Sequence, residues 1–129
     1  MMNTATTIAH TVLRITGVIQ IVLGLLFWTN NAFALIPIHI LSGYVFVLSL
    51  WILAIVAALA GVGRGRVAVA LVWGLIVPIL GLTQTQSLPG PAHWVIEVLH
   101  LLVGLAAIGQ GEGLARRIRQ VRMPAPQTS

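Results

Sequence analysis

Apolar residues run through this chain in four long blocks, and polar residues gather in the short stretches between them. Residues 8–29, 35–60, 67–88 and 91–110 each supply the about 20 mostly apolar positions that a helix needs to cross a hydrocarbon core. Between Arg14 and Arg64 lie 49 residues without a formal charge, and between Arg66 and Arg116 the only charged side chains are Glu97 and Glu112. The pattern predicts an all-α, four-helix transmembrane bundle filling residues 1–122 as a single domain, with a disordered tail at 123–129. Pro37 and Pro91 fall near the starts of the second and fourth helices, where a missing N–H costs little. Pro78 falls inside the third and is expected to kink it. Trp28 and Trp94 are placed as interfacial belt residues, and Trp51 and Trp73 lie deeper.

Composition narrows the class. The chain is 58% apolar, with two acidic residues and seven arginines, too little polar surface for a soluble domain of 129 residues. A formal charge of +5 could suggest nucleic acid, but the arginines sit at helix ends rather than along a face, so no nucleic-acid partner is expected. Arg64 and Arg66 follow the second helix, while Arg116, Arg117, Arg119 and Arg122 follow the fourth; the other two loops carry no charge. The positive-inside rule then expects both termini in the cytoplasm, and the expected location is a bacterial inner membrane. A rival reading takes Arg14, the run ITGVIQIVLGLLFW and the small residues Ala32 and Ala34 as a signal peptide with its cleavage site. The absence of cysteine removes disulfides and thiolate ligation from consideration.

An internal likeness favours a retained first helix. GVIQIVLGL (Gly17 to Leu25) matches GLIVPILGL (Gly74 to Leu82) at five of nine positions, and HILSG (His39 to Gly43) resembles HLLVG (His100 to Gly104). The offset is 57 residues in the first pair and 61 in the second. Two parallel helical-hairpin repeats about an axis along the membrane normal account for both. Gly17, Gly24, Gly74 and Gly81 then read as positions of close helix packing.

The stretch HWVIEVLH, His93 to His100, carries the candidate chemistry. At about 100° per residue, His93, Glu97 and His100 fall within about 60° on the fourth helix. Ionisable groups inside a membrane usually face a bundle interior, and function is the default expectation. His39, shortly after Pro37, enters from the same side. His39 and His100 hold equivalent repeat positions, and each is followed by a glycine four residues on, Gly43 and Gly104. Neutral imidazoles from facing helices can take both axial positions of haem iron, with the glycines leaving room for the macrocycle.

In its four-span plan and its two His-x-x-x-Gly segments the chain resembles small membrane b-type cytochromes of the cytochrome b561-like kind. The resemblance implies a haem b protein that passes single electrons, with His39 and His100 as ligands, or His93 as the partner of His39. Glu97 would stand near the propionates or behind the ligands. Only His10 lies near the opposite membrane face, so one haem is the expected number. Two alternatives compete. His93, Glu97, His100 and His39 could hold zinc, or Glu97 alone could serve a small proton-coupled transporter. In the plainest reading Glu97 hydrogen-bonds Gln84, Gln86 or a histidine as structural glue. Thr83 to Gln86 are candidate partners for ligating histidines. Gln20 reads as an interhelical hydrogen bonder, Tyr44 as a donor within the bundle, Arg14 as snorkelling or touching a propionate or quinone, and His10 as solvated. Expected partners are membrane lipid, haem, a quinone or redox protein, and a second copy of the chain.

Overall fold

The computed structural model describes residues 1–123, which form four long helices. Helix α1 spans Met2–Trp28, α2 Ile36–Leu59, α3 Arg64–Thr83 and α4 His93–Arg122. Single 3-10 turns at Phe33–Leu35 and Gln84–Gln86 lead into α2 and out of α3. All four helices are long and apolar enough to cross a membrane, and no strand occurs among the described residues. The chain is an all-α, integral membrane four-helix bundle. The tail read at 123–129 lies, Met123 apart, outside the described residues.

Consecutive helices run antiparallel. Asn3 meets Arg122, Leu13 meets Gly111 and Gly17 meets Ile108, which fixes the register of α1 against α4. Gln20 reaches His39 and Ser42, which fixes α1 against α2. The ends of α1 and α4 and the α2–α3 turn therefore share one end of the bundle, called here the termini end. The other two connections form the loop end. At the termini end α2 stops in a Schellman turn: Gly61 takes φ 79°, Val62 N–H donates to the Ala57 carbonyl and Gly61 N–H to that of Ala58. Asn30, at φ 60°, closes α1 in the same way, with Asn31 N–H donating to Leu26 and Asn30 N–H to Phe27.

Two helices outrun the blocks of hydropathy. α1 begins at Met2 rather than near residue 8, and α4 continues to Arg122 rather than stopping near 110. Ala5, Ala9 and Leu13 on α1 and Leu114, Ala115 and Ile118 on α4 recur at helical spacing and pack in one cluster, and Thr6 is buried as well, so packing extends both helices beyond their apolar stretches. At about 1.5 Å per residue α4 is about 45 Å long, more than a hydrocarbon core requires. α3 stops short at Thr83, ahead of Leu88 at φ 47° and Gly90 at φ 88°.

The core is unevenly placed along the bundle. Leu50, Leu53 and Ala57 of α2 are buried beside Leu13, Leu114 and Ile118 in the half toward the termini end, with Phe46 and Ala107 near mid-bundle. α2 packs on all three other helices and touches α4 across the centre, whereas α1 and α3 stand on opposite flanks. Gly74 lies under the Trp51 indole, whose Nε1 donates to the Leu71 carbonyl at 3.2 Å. Trp73 Nε1 donates to the Val103 carbonyl at 2.9 Å and ties α3 to α4. The half toward the loop end lacks such filling, and the candidate site occupies it.

Candidate functional site

His39 stands in the first turns of α2, where Pro37 helps start the helix, and His100 about two turns into α4. α2 and α4 run parallel from the loop end, and their packing brings the two rings side by side although their distances from Pro37 and Pro91 differ. Their rings are 6.4 Å apart between centroids and inclined at 66°. Imidazole nitrogen binds a metal at about 2 Å, so two nitrogens on one ion stand about 3.3 Å apart in a tetrahedral set and about 4 Å apart when they face each other across it. The centroid spacing is of the size that two imidazoles facing each other across one ion would have. The Phe27 ring meets His39 edge-on at 5.3 Å. Both Nδ1 atoms are buried without a hydrogen-bond partner. Such an atom costs about 1–3 kcal/mol unless something satisfies it.

Clefts flank this pair on two sides. The larger, between α1 and α4, measures about 780 Å³ counted out through its open side, and is lined by Gln20, Gly24, Trp28, Gln84, Glu97 and His100 among others. The smaller, between α2 and α3, measures about 390 Å³ on the same basis and includes Tyr44, Pro78 and Gly81. His39 and His100 border both. A Cβ at Gly24 or Gly104 would meet nothing within 4 Å, so both glycines widen the larger cleft rather than pack a helix contact. For Gly24 this replaces the packing role expected from its spacing. Gly43 behaves differently: a Cβ there would come 3.4 Å from Gln20 Oε1, so the space beside it belongs to the glutamine. Gln20 Nε2 donates to the His39 carbonyl and to Ser42 Oγ, each at 2.6 Å, and thereby holds the turn that carries His39.

The shared face of HWVIEVLH is only partly assembled into one site. Glu97 lines the larger cleft with His100, but His93, the first residue of α4, turns back so that its Nδ1 lies 3.3 Å from the Ser87 carbonyl. His93 Nε2 stands 3.8 Å from Glu97 Oε1, and both side chains are about one-third exposed. Among the described residues no three histidine, aspartate or glutamate side chains group around a common metal position. A three-ligand zinc set from His93, Glu97 and His100 is therefore not formed. Gln84 borders the cleft without bonding a histidine, and the Thr83 hydroxyl donates to the Ile79 carbonyl instead. Tyr44 is half exposed on the smaller cleft.

A second polar cluster sits toward the termini end, and the sequence did not announce it. Arg14 forks onto Glu112, Nε to Oε1 at 2.6 Å and Nη2 to Oε2 at 2.8 Å. His10 is buried, 4% exposed, rather than solvated. Arg119 Nη2 lies 3.1 Å from His10 Nδ1. A guanidinium can only donate, so Nδ1 accepts and the neutral ring carries its proton on Nε2. That atom faces Glu112 Oε1 at 2.9 Å, off the line of a good hydrogen bond. Arg14 thus pairs across the α1–α4 seam instead of merely snorkelling. No protein-family model, curated protein or solved structure matches this chain.

Proposed function

We propose that this membrane protein binds one b-type haem between His39 and His100 and passes single electrons. The observation that carries the reading is the pair of unpartnered imidazoles, donated by two facing helices at 6.4 Å and flanked by open clefts. Neutral imidazoles are the donor set that low-spin haem iron takes, and both can be supplied by bundle helices. When bound, the haem supplies a one-electron couple. His39 and His100 would hold it, and Gln20 fixes the backbone that presents His39. Gly24 and Gly104 leave side-chain space beside the pair. The apolar lining, with Leu25, Phe27, Leu101 and Ile108, keeps water from the ligands.

The arginines at the termini end orient the chain with both termini in the cytoplasm of a bacterial inner membrane, and the haem toward the outer leaflet. A quinone or a redox protein is the class of partner such a site serves.

The visible spectrum of the purified protein, with and without dithionite, tests the reading. A sharp Soret band with split α and β bands supports it, and each of His39→Ala and His100→Ala should lose the six-coordinate form while His10→Ala keeps it. No Soret band after haemin supplementation refutes it. The carboxylate lining the cleft would then favour transport, to be tested as proton-coupled uptake lost in Glu97→Gln.

A further inference from the structure

The two clefts are lined by repeat-related positions. Gln20, Ile21, Gly24 and Leu25 line the larger, and the residues 57 further on, Val77, Pro78, Gly81 and Leu82, line the smaller. His100, Leu101 and Gly104 line the larger, and the residues 61 earlier, His39, Ile40 and Gly43, line the smaller. A likeness first seen as letters thus recurs as matched surfaces. The matching exchanges α1 with α3 and α2 with α4. It requires an approximate two-fold axis along the bundle that passes between His39 and His100, the two helices touching across the centre. The imidazoles stand on this axis as a divider, with one cleft on the α1 flank and one on the α3 flank.

We infer that the clefts are two halves of one slot, and that a single flat, mainly apolar ligand of macrocycle size spans both, one edge beside Gly24 and the other beside Gly81. The inference rests on the haem reading and adds the α3 flank, which that reading does not need, to the binding site. The unequal sizes have a local cause. A Cβ at Gly81 would fall 2.9 Å from His100 Cε1 and 3.3 Å from Nε2, so the His100 ring leans into the α3 half and fills part of it. On the α1 flank nothing leans on Gly24. A ligand centred between the rings draws His100 back toward the axis and levels the halves. Polarity remains unequal: Gln20 borders both halves, but Gln84 and the Glu97 carboxylate border the α1 half alone, against Tyr44 on the other, so the polar edge of the ligand lies on the α1 side and the apolar edge lies against Val77, Pro78 and Leu82.

Haemin and iron-free protoporphyrin IX, titrated into the full chain in lipid nanodiscs against empty nanodiscs, test the slot. The Soret shift reports haemin and polarised fluorescence reports the porphyrin, which takes no axial ligand. Gly24→Leu fills the α1 half, Val77→Phe and the half-exposed Leu82→Trp fill the α3 half, and Val22→Trp adds bulk on an exposed face away from both clefts. Helical circular dichroism checks each fold, and Leu82→Trp carries the α3 arm if Val77→Phe does not fold. The slot predicts that closing either half weakens both ligands by at least about tenfold, or about 1.4 kcal/mol, and that Val22→Trp does not. Losses confined to Gly24→Leu overturn the two-flank slot while leaving the haem reading standing. No binding of either ligand to the wild type overturns both.

Discussion

Gly111 and Gly113 lie two residues apart on α4, and the same substitution at each should have opposite effects. A Cβ at 111 would lie 2.5 Å from Leu13 Cδ1, 3.0 Å from Cδ2 and 3.3 Å from Cγ. Carbon atoms rest at about 3.5–4.0 Å, so the nearest contact overlaps by about 1 Å. Leu13 is 0% exposed, and close packing on all sides leaves it no free rotamer to escape into. Overpacking of this kind costs about 1–3 kcal/mol. A Cβ at 113 would meet nothing within 4 Å. Both changes gain the same helix propensity, about 1 kcal/mol for alanine over glycine. The gain cancels in the comparison. Gly111→Ala should therefore be less stable than Gly113→Ala by about 1–3 kcal/mol, the worth of the Leu13 contact alone. Reversible unfolding in mixed micelles, followed by helical circular dichroism, measures the difference. Equal stabilities, or a more stable Gly111→Ala, would refute the close approach of α1 and α4 on which the register of the bundle rests.

Other outcomes follow from the same geometry. Gly61→Ala places a side chain at φ 79° and should lose about 1–2 kcal/mol, whereas Gly65→Ala, inside α3 with open space at its Cβ, should not. Trp73→Phe removes the indole donor to the Val103 carbonyl and should cost about 1 kcal/mol in the same assay. Glu112→Gln should destabilise more than Arg14→Gln, because it removes the carboxylate that takes the Arg14 fork and also faces the buried His10 Nε2; equal losses would mean that only the Arg14 fork matters. With no native cysteine, single-cysteine variants at Asn3, Gln120 and Ser87 report sidedness cleanly. A membrane-impermeant maleimide should reach the first two from one side of sealed vesicles and the third only from the other.

What the sequence made legible depended on how far a signal reached. The four spans were plain because hydropathy is a local property, and His39 with His100 were paired because a repeat marked both. His10 was misread for a traceable reason. Arg116 and Arg117 lower the hydropathy of the last stretch, so the apolar pattern ends the fourth span near residue 110 and hides the further helical turns, with Arg119, that pack against His10. The Arg14–Glu112 fork joins residues 98 apart and becomes visible only once α1 and α4 are set in register. His93 shows the converse. Its place on the face of Glu97 and His100 was sound, but α4 begins at that residue, and a terminal side chain is free to turn back toward the Ser87 carbonyl. Gly24 and Gly81 share a motif, yet one faces open space and the other a histidine ring, a difference set by the neighbouring helix rather than by the motif.

The uneven filling of the bundle bears on the membrane around it. The larger cleft lies between helices long and apolar enough to cross a membrane, and wherever it meets the hydrocarbon an acyl chain can compete for the space beside Leu25 and Leu101. Lipid is then a competitor for the site as well as its solvent. A ligand must expel a chain to bind, so chains that pack poorly in a narrow groove, such as kinked or branched ones, favour ligand retention over straight saturated ones. On the proposed reading, the ligand affinity of this bundle becomes in part a property of the bilayer, adjustable by lipid composition without any change in the protein.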